Sequence, residues 1–226
     1  MSRRLLEYAF TLFIAISLNF LLPRMMPGDP MALIAGSAVQ QMGEEKIAEL
    51  RAAYGLDAPL GVQYARYWGN LLRGDLGQSY RYSGGSSVAE VLADRLGWTL
   101  LLVGTSLTLA TGIGSALGAW AAWKHGQATD MGLLTVLFTL RAVPSFWLAM
   151  IFIPIFAIQL KWFPSGDSYS FPRLEGWANV KDIARHAVLP VAVLTLAYMP
   201  TAFAVMRASM LGIMGEDYIR TARAKG

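Results

Sequence analysis

The sequence predicts an all-α protein, a polytopic bundle of four transmembrane helices with a helical segment outside the membrane after the first one. Hydrophobic residues make up 55% of the 226 residues and charged residues only 15%. Several apolar stretches are long enough, as helices, to cross a hydrocarbon core of about 30 Å. The charges between these stretches are distributed unequally between the two sides of the membrane. These observations predict a membrane protein.

Four apolar stretches are predicted to span the membrane, at about 5–26, 98–123, 131–160 and 187–211. The first reaches spanning length only when the apolar residues that flank its uncharged centre are counted. The second contains no charged residue, and the third is interrupted only by Arg141. These stretches are long enough, as helices, to span the hydrocarbon core.

The positive charges predict the orientation of the chain. With the N-terminus in the cytoplasm, the inner pieces 1–7, 123–131 and 207–226 carry more cations than acids. The outer pieces 24–97 and 158–186 are balanced. This excess of Lys and Arg on one side is typical of cytoplasmic loops.

The boundaries of the spans define the segments between them. We expect extracytoplasmic segments at 27–97 and 161–186 and a cytoplasmic segment at 212–226. Arg3 and Arg4 before an apolar run are also compatible with a signal peptide, but no small-residue cleavage site follows closely, so an uncleaved anchor is favoured.

The segment after the first span is predicted to contain short amphipathic helices rather than strands. One covers about 44–54, and the second carries an aromatic and aliphatic stripe, Tyr64, Tyr67, Trp68, Leu71 and Leu72. We expect both to lie on the membrane and on the spans, with the aromatic residues as interface anchors. Residues 80–87 are rich in Gly and Ser and predict a hinge, where Ser86 or Ser87 could cap the next helix.

Features within the spans predict packing and a passage. Gly114 and Gly118 have the spacing that lets another helix approach closely, and we expect packing rather than gating. Arg141 is a charge inside an apolar run, and Pro144 is expected to kink that helix. Together they are candidates for a translocation pathway, although Arg141 could instead snorkel or bind loop carbonyls.

Few residues suggest catalysis or metal binding. The chain has no cysteine. His125, in the short loop 124–130, has no evident partner and is expected to be solvated. Asp182 and His186 are four apart, a spacing that also suits metal ligands, but without a third ligand we favour a capping or interface pair and predict no metal site.

The last stretch, Gly215 to Gly226, is predicted to form a short helix. Glu216 and Arg220 could form an ion pair, and small residues keep one side of the helix thin. Such a helix suits insertion into a groove of a soluble partner, whereas a basic tail held by anionic lipid is the alternative.

This stretch occurs together with Met26-Pro-Gly-Asp-Pro30, Leu72-Arg-Gly-Asp-Leu-Gly77 and Pro144-Ser-Phe-Trp147, in that order along the chain. With these motifs the chain resembles the oligopeptide/dipeptide/nickel branch of ABC-importer permeases. The resemblance implies six spans, of which residues 1–214 match the first four. We therefore expect a partial transmembrane domain, truncated after the fourth span.

The resemblance also implies a function. The chain would be one permease subunit of an ATP-driven importer in the bacterial inner membrane, forming half of the passage for peptides or similar small solutes. It would work with two ATP-binding subunits, a second homologous permease and a periplasmic solute-binding protein, surrounded by lipid, without nucleic acid. The matching docking loop assigns ATPase coupling to Glu216, Asp217, Tyr218, Ile219, Arg220, Thr221, Ala222, Arg223 and Gly226.

No phosphate-binding G-x-x-x-x-G-K-[ST] motif occurs in the chain, so ATP and Mg would be bound by the partner subunits. This subunit would have no cofactor and no catalytic residue. A membrane enzyme is disfavoured, because the spans offer no converging acid, base or metal groups. A membrane channel or assembly scaffold that is not coupled to ATP is the remaining alternative.

Overall fold

The computed structural model describes residues 2–25, 43–53, 55–79 and 86–225, and these are mostly helical. The predicted turn at Met26 to Pro30, the hinge residues 80–85 and Gly226 lie outside the described residues. The helices are α1 (Ser2–Met25), α2 (Glu44–Ala53), α3 (Leu60–Leu72), α4 (Val88–Trp123), α5 (Ala128–Ala142), α6 (Ser145–Phe152), a π-helix (Ile153–Gln159), α7 (Gly176–Met214) and α8 (Asp217–Lys225).

The chain divides into two compact units, Met1–Arg95 and Leu96–Gly226. In the first unit, α3 packs against α1 through its aromatic stripe. Ser17 Oγ and Tyr64 Oη lie 2.7 Å apart, and the rings of Phe13 and Trp68 stack with centroids 5.4 Å apart. Since the contacts move backwards along α1 as they move forwards along α3, the helices are antiparallel. The predicted packing of this stripe on the first apolar helix is therefore confirmed for its three aromatic residues.

Two short strands correct the prediction of helices without strands in this segment. Strand β1 (Gln78–Ser79) pairs antiparallel with β2 (Ser86–Ser87), so that Gln78 faces Ser87. The amide nitrogen of Val88, at the start of α4, donates to the Gly77 carbonyl at 2.9 Å. Three of the four paired residues are serines, which are poor helix formers because their side chains compete for backbone hydrogen bonds.

The second unit has its core where α4, α5 and α7 meet. Its buried side chains are Ala110, Ala121, Leu137, Met199 and Phe203.

Two glycines bring α4 against α7. A Cβ atom on Gly114 would lie 2.7 Å from the Met199 carbonyl oxygen, and one on Gly118 would lie 2.6 Å from the Phe203 carbonyl oxygen. These distances are shorter than any real Cβ contact, so the approach requires glycine at both positions. The predicted packing role of both residues is confirmed.

The predicted third span is broken rather than kinked. Helix α5 ends at Ala142, Val143 is extended with φ −86° and ψ 122°, and α6 begins after Pro144. The helical pieces on the two sides are bent by 96°. Proline disfavours the helical conformation of the residue before it, which explains why Val143 leaves the helix. The pair forms either a broken span or a re-entrant loop.

Helix α7 is continuous for 39 residues and passes through Pro190 and Pro200. It contains the span predicted at 187–211 and begins within the segment predicted to be extracytoplasmic. Proline is tolerated in such a helix where packing compensates for the missing donor, and Pro200 is fully buried.

Three described helices are long and apolar enough to cross a membrane, namely Arg4–Met25, Val88–Trp123 and Gly176–Met214. The bent pair Ala128–Ala142 and Ser145–Gln159 would be a fourth if it counts as one span. Many large apolar side chains on these helices are exposed, as lipid contact requires. The predicted all-α polytopic bundle is therefore confirmed.

Candidate functional site

A buried charged cluster lies at the end of the second unit from which α8 continues. It consists of Asp130 in the first turn of α5, Arg207 near the end of α7, and His125 and Gly126 in the loop before α5; we call it the Asp130 cluster. Asp130 is only 1% exposed, although aspartate is rarely buried without a partner.

Arg207 binds the Asp130 carboxylate with both arms of its guanidinium group. Its Nε donates to Oδ1 at 2.7 Å, and its Nη2 donates to Oδ2 at 2.7 Å. The Gly126 amide also donates to Oδ2, at 3.1 Å. This bidentate geometry is the strong form of an arginine–carboxylate pair. Both oxygens of the buried carboxylate are thus satisfied.

His125 completes the cluster, which corrects the expectation that it has no partner. Its Nδ1 lies 3.0 Å from Asp130 Oδ2, so a proton on Nδ1 would be donated to the carboxylate. The rest of the ring faces outward, since the side chain is 61% exposed. His125 is solvated, as predicted, but it is also held by the acid at the start of α5.

The Asp130 cluster ties the start of α5 to the last turns of α7, across 77 positions of the sequence. Gly118 lies beside it, because a Cβ atom there would be 3.1 Å from the Arg207 amide nitrogen. An ion pair and a close helix crossing thus hold α7 just before it leaves the bundle. The arrangement fixes the position of one helix end.

Helix α8 follows α7 after a two-residue link, Gly215 and Glu216. The amides of both residues donate to carbonyls of the last turn of α7, at 3.2 and 3.1 Å. Tyr218 is 61% exposed, and Glu216, Asp217 and Thr221 are also exposed. The surface of this helix is therefore accessible to a partner.

Part of the predicted coupling segment lies outside the residues that the structure describes. The side chains of Arg220, Ala222 and Arg223 and the whole of Gly226 are outside the described residues, so the expected Glu216–Arg220 pair stays a prediction. Ile219 is half-buried, and its amide donates to the Glu216 carbonyl at 3.1 Å. The coupling role of the whole segment is likewise a prediction.

The two pathway candidates lie at the break between α5 and α6. Arg141 is exposed in the last turn of α5, and its side chain has no hydrogen-bond partner among the described residues. Pro144 is exposed directly before α6. The structure brings them together at a bend, and their roles in transport stay predictions.

Asp182 and His186 hold a loop onto α7. The Asp182 carboxylate accepts hydrogen bonds from the amide and the hydroxyl of Ser170, the hydroxyl at 2.7 Å, and His186 Nδ1 lies 2.8 Å from the Asp182 carbonyl oxygen. Both residues lie inside α7, so the pair caps no helix end, and the interface pair that the spacing also allowed is the one observed. Within the described ranges, no group of three His, Cys, Asp or Glu side chains could hold a metal ion.

Sequence reasoning missed the Asp130–Arg207 pair. The only available signal was a pair of opposite charges at the ends of two apolar runs, Asp130 before one and Arg207 after another. Nothing local to either residue indicates that they meet.

Comparison with known proteins finds two matching families, one for each half of the chain. Residues 114–226 match the family described as binding-protein-dependent transport system inner membrane component. Residues 1–103 match the family described as the N-terminal part of such a membrane component.

Several named proteins are similar over most of the chain. An oligopeptide transport system permease protein of Bacillus subtilis is 36% identical over 224 residues, which cover 99% of this chain and 68% of that protein. A putative peptide transport system permease protein of Brucella suis is 34% identical, with the same coverage of each chain. A probable peptide ABC transporter permease protein of Sinorhizobium fredii is 35% identical, covering 92% of this chain and 63% of that protein.

Proposed function

Because this chain belongs to the binding-protein-dependent transport system inner membrane components, in the peptide branch of ABC permeases, we propose that it forms half of the passage of an ATP-driven importer. The chain is an integral membrane protein of a transport system. The proposed cargo is a peptide or a similar small solute, delivered by a periplasmic binding protein. Two ATP-binding subunits and a second homologous permease would complete the assembly.

The observation that carries this proposal is the connection between α8 and α7. Helix α8 is exposed, and only two residues separate it from a helix of 39 residues, about 58 Å long. That length exceeds the hydrocarbon core of about 30 Å. A push on α8 would therefore move a rigid element that reaches both sides of the membrane.

The Asp130 cluster supports the same mechanism. It joins the end of α7 to the start of α5, so a displacement of α7 would be shared with α5. A bidentate, buried ion pair resists separation more strongly than a surface pair. The energy of ATP hydrolysis in the partner subunits would enter through α8 and pass to both helices.

The orientation is part of the proposal. The excess of cations in 1–7, 123–131 and 207–226 favours a cytoplasmic N-terminus in the bacterial inner membrane. In that orientation α8 faces the ATP-binding subunits. ATP and Mg would be bound there, and this chain would bind no cofactor.

The test uses the importer assembled from this permease and its four partner proteins in proteoliposomes. Tyr218→Ser removes an exposed aromatic side chain of α8, the kind of residue that anchors many interfaces. We expect about a thirtyfold loss of co-purified ATP-binding subunits and of peptide uptake, because truncating such an anchor costs on the order of 2 kcal/mol. Trp177→Ser is the matched control, since Trp177 is 71% exposed at the other end of α7.

Retention of both the ATP-binding subunits and peptide uptake by the Tyr218 variant would contradict coupling through α8. Ion conductance by the isolated chain, without ATP-binding subunits, would instead favour a channel.

A further inference from the structure

A cavity of about 430 Å³ lies between α7 and the pair formed by α6 and the π-helix, beneath the loop at 164–167. Its volume is typical of sites for small molecules. Most of its wall is apolar and comes from Phe146, Ala149, Phe152, Ile153, Leu189 and Val193. All of these residues belong to the second unit. The cavity therefore suits an apolar side chain.

One polar group in this wall is almost fully buried. The His186 side chain is 7% exposed, and its Nδ1 lies 2.8 Å from the Asp182 carbonyl oxygen. A carbonyl oxygen can only accept, so Nδ1 carries the proton and donates it. In a neutral imidazole the other nitrogen, Nε2, is then an acceptor. No described residue provides a donor for this nitrogen.

A second acceptor lines the same cavity. Asp167 sits in the loop above it, with φ 59°, a left-handed conformation that aspartate tolerates better than most residues. The described lining includes no Lys or Arg side chain. An apolar space bordered by a carboxylate and an imidazole acceptor is complementary to a cation with hydrogen-bond donors, and it disfavours a carboxylate.

We propose that this cavity binds the N-terminal residue of a peptide, with the ammonium group at His186 and Asp167 and an apolar side chain among the aromatic and aliphatic residues. The choice of a peptide rests on the proposed function; the requirement for an amine beside an apolar group rests on the cavity alone. The ammonium group would donate to the free nitrogen of His186, and the carboxylate of Asp167 would balance its charge.

The first experiment measures binding to the complete importer in nanodiscs without ATP. The probe is radiolabelled leucyl-leucinamide, which has a free amine, an apolar side chain and no carboxylate. Its N-acetyl derivative is the matched probe without the charge. We expect saturable binding of the amine and binding at least tenfold weaker for the acetylated form, because a hydrogen bond to a charged group is lost. Equal binding of the two probes would overturn the proposal.

The second experiment uses two substitutions of His186. His186→Asn retains a donor near Nδ1 for the Asp182 carbonyl but lacks an acceptor at the position of Nε2. His186→Gln reaches that position with an amide oxygen. We expect about tenfold weaker binding for His186→Asn and a change below about threefold for His186→Gln. Wild-type affinity in His186→Asn would contradict the assigned role of the imidazole.

A variant at another residue of the cavity provides a test if the importer that carries His186→Asn does not assemble. Ala149 lines the cavity and is half-buried, so Ala149→Phe fills the space for the apolar side chain. Ala116→Phe is the matched control, because Ala116 is exposed on α4 and does not line the cavity. We expect the first to abolish binding and the second to retain it. Undiminished binding by Ala149→Phe would overturn the proposal.

Peptide uptake and peptide-stimulated ATP hydrolysis are measured on the same preparations. If uptake persists while no saturable, amine-dependent binding occurs, this site is wrong and the permease function stands. If the amine-dependent binding occurs but ATP hydrolysis and uptake are uncoupled, the proposed function fails and the site stands. Displacement of both probes by an alkyl detergent, with no preference for the amine, would identify an acyl-chain groove and overturn the proposal.

Discussion

Replacement of Asp130 by Asn should destabilise the second unit by roughly 3 kcal/mol. The carboxylate is 1% exposed, and its two bonds to Arg207 are both 2.7 Å long, whereas Arg207 is 17% exposed. Two unit charges about 4 Å apart attract by about 4 kcal/mol at an effective dielectric constant of about 20. Removing one partner of a buried pair costs about 3–5 kcal/mol. Asn keeps one oxygen acceptor, which places it at the lower end.

The assay is equilibrium unfolding of the purified chain in mixed micelles, for wild type, Asp130→Asn, Arg207→Gln and the double variant. We expect the losses of the two single variants to add up to about 2 kcal/mol more than the loss of the double variant. The reason is that the double variant leaves neither member of the pair as an unpaired charge. Glu175→Gln is the control, since Glu175 is exposed and its side chain caps no helix; its effect should stay within about 0.5 kcal/mol.

Strict additivity of the two single substitutions would refute the reasoning, and so would an Asp130→Asn variant that unfolds like wild type. Either result would mean that the ion pair does not hold α5 and α7 together. The proposed transmission from α8 to α5 would then need another connection.

Three more predictions concern other features. Gly114→Ala should lower the free energy of unfolding by roughly 1–3 kcal/mol, because the new Cβ would lie 2.7 Å from a carbonyl oxygen of α7. In the control Gly112→Ala, the new Cβ meets nothing within 4 Å, so this variant should be neutral or slightly stabilised. Equal stability of the two variants would contradict the close crossing. Asp182→Ala should speed proteolysis within 161–175 more than Ser170→Ala does, because it removes the acceptor of both bonds; unchanged cleavage would show that the pair does not hold the loop. Arg141→Gln should weaken uptake of anionic peptides while ATP-binding subunits still assemble, and unchanged uptake would remove this residue from the passage.

Local features of the fold were predictable because each depends on residues close together in sequence. The apolar lengths identified the spanning helices, and the spacing of Gly114 and Gly118 indicated a close helix crossing. Pro144 predicted a disturbance in the third stretch. Its size was not predictable, since a proline can kink a helix or end it; the bend of 96° appears only in the folded chain.

The candidate sites were less accessible from the sequence. The terminal segment was recognised by its resemblance to a docking loop, and the structure adds that helix α8 is exposed and closely linked to α7. The cavity at His186 was not predicted, because its wall combines residues from α6, the π-helix, α7 and a loop. A lone histidine on an apolar face carries no sign of the space beside it.

Composition and the lengths of the apolar stretches were sufficient to establish a helical membrane chain, because the cost of placing polar backbone and charge in lipid acts on each stretch separately. The partners of its buried charges were settled only by the packing of helices. Asp130 and Arg207 are 77 positions apart, and each alone looks like an ordinary charge at the end of an apolar run. They become a structural anchor only when helix packing brings the start of α5 against the last turns of α7 and buries the Asp130 carboxylate.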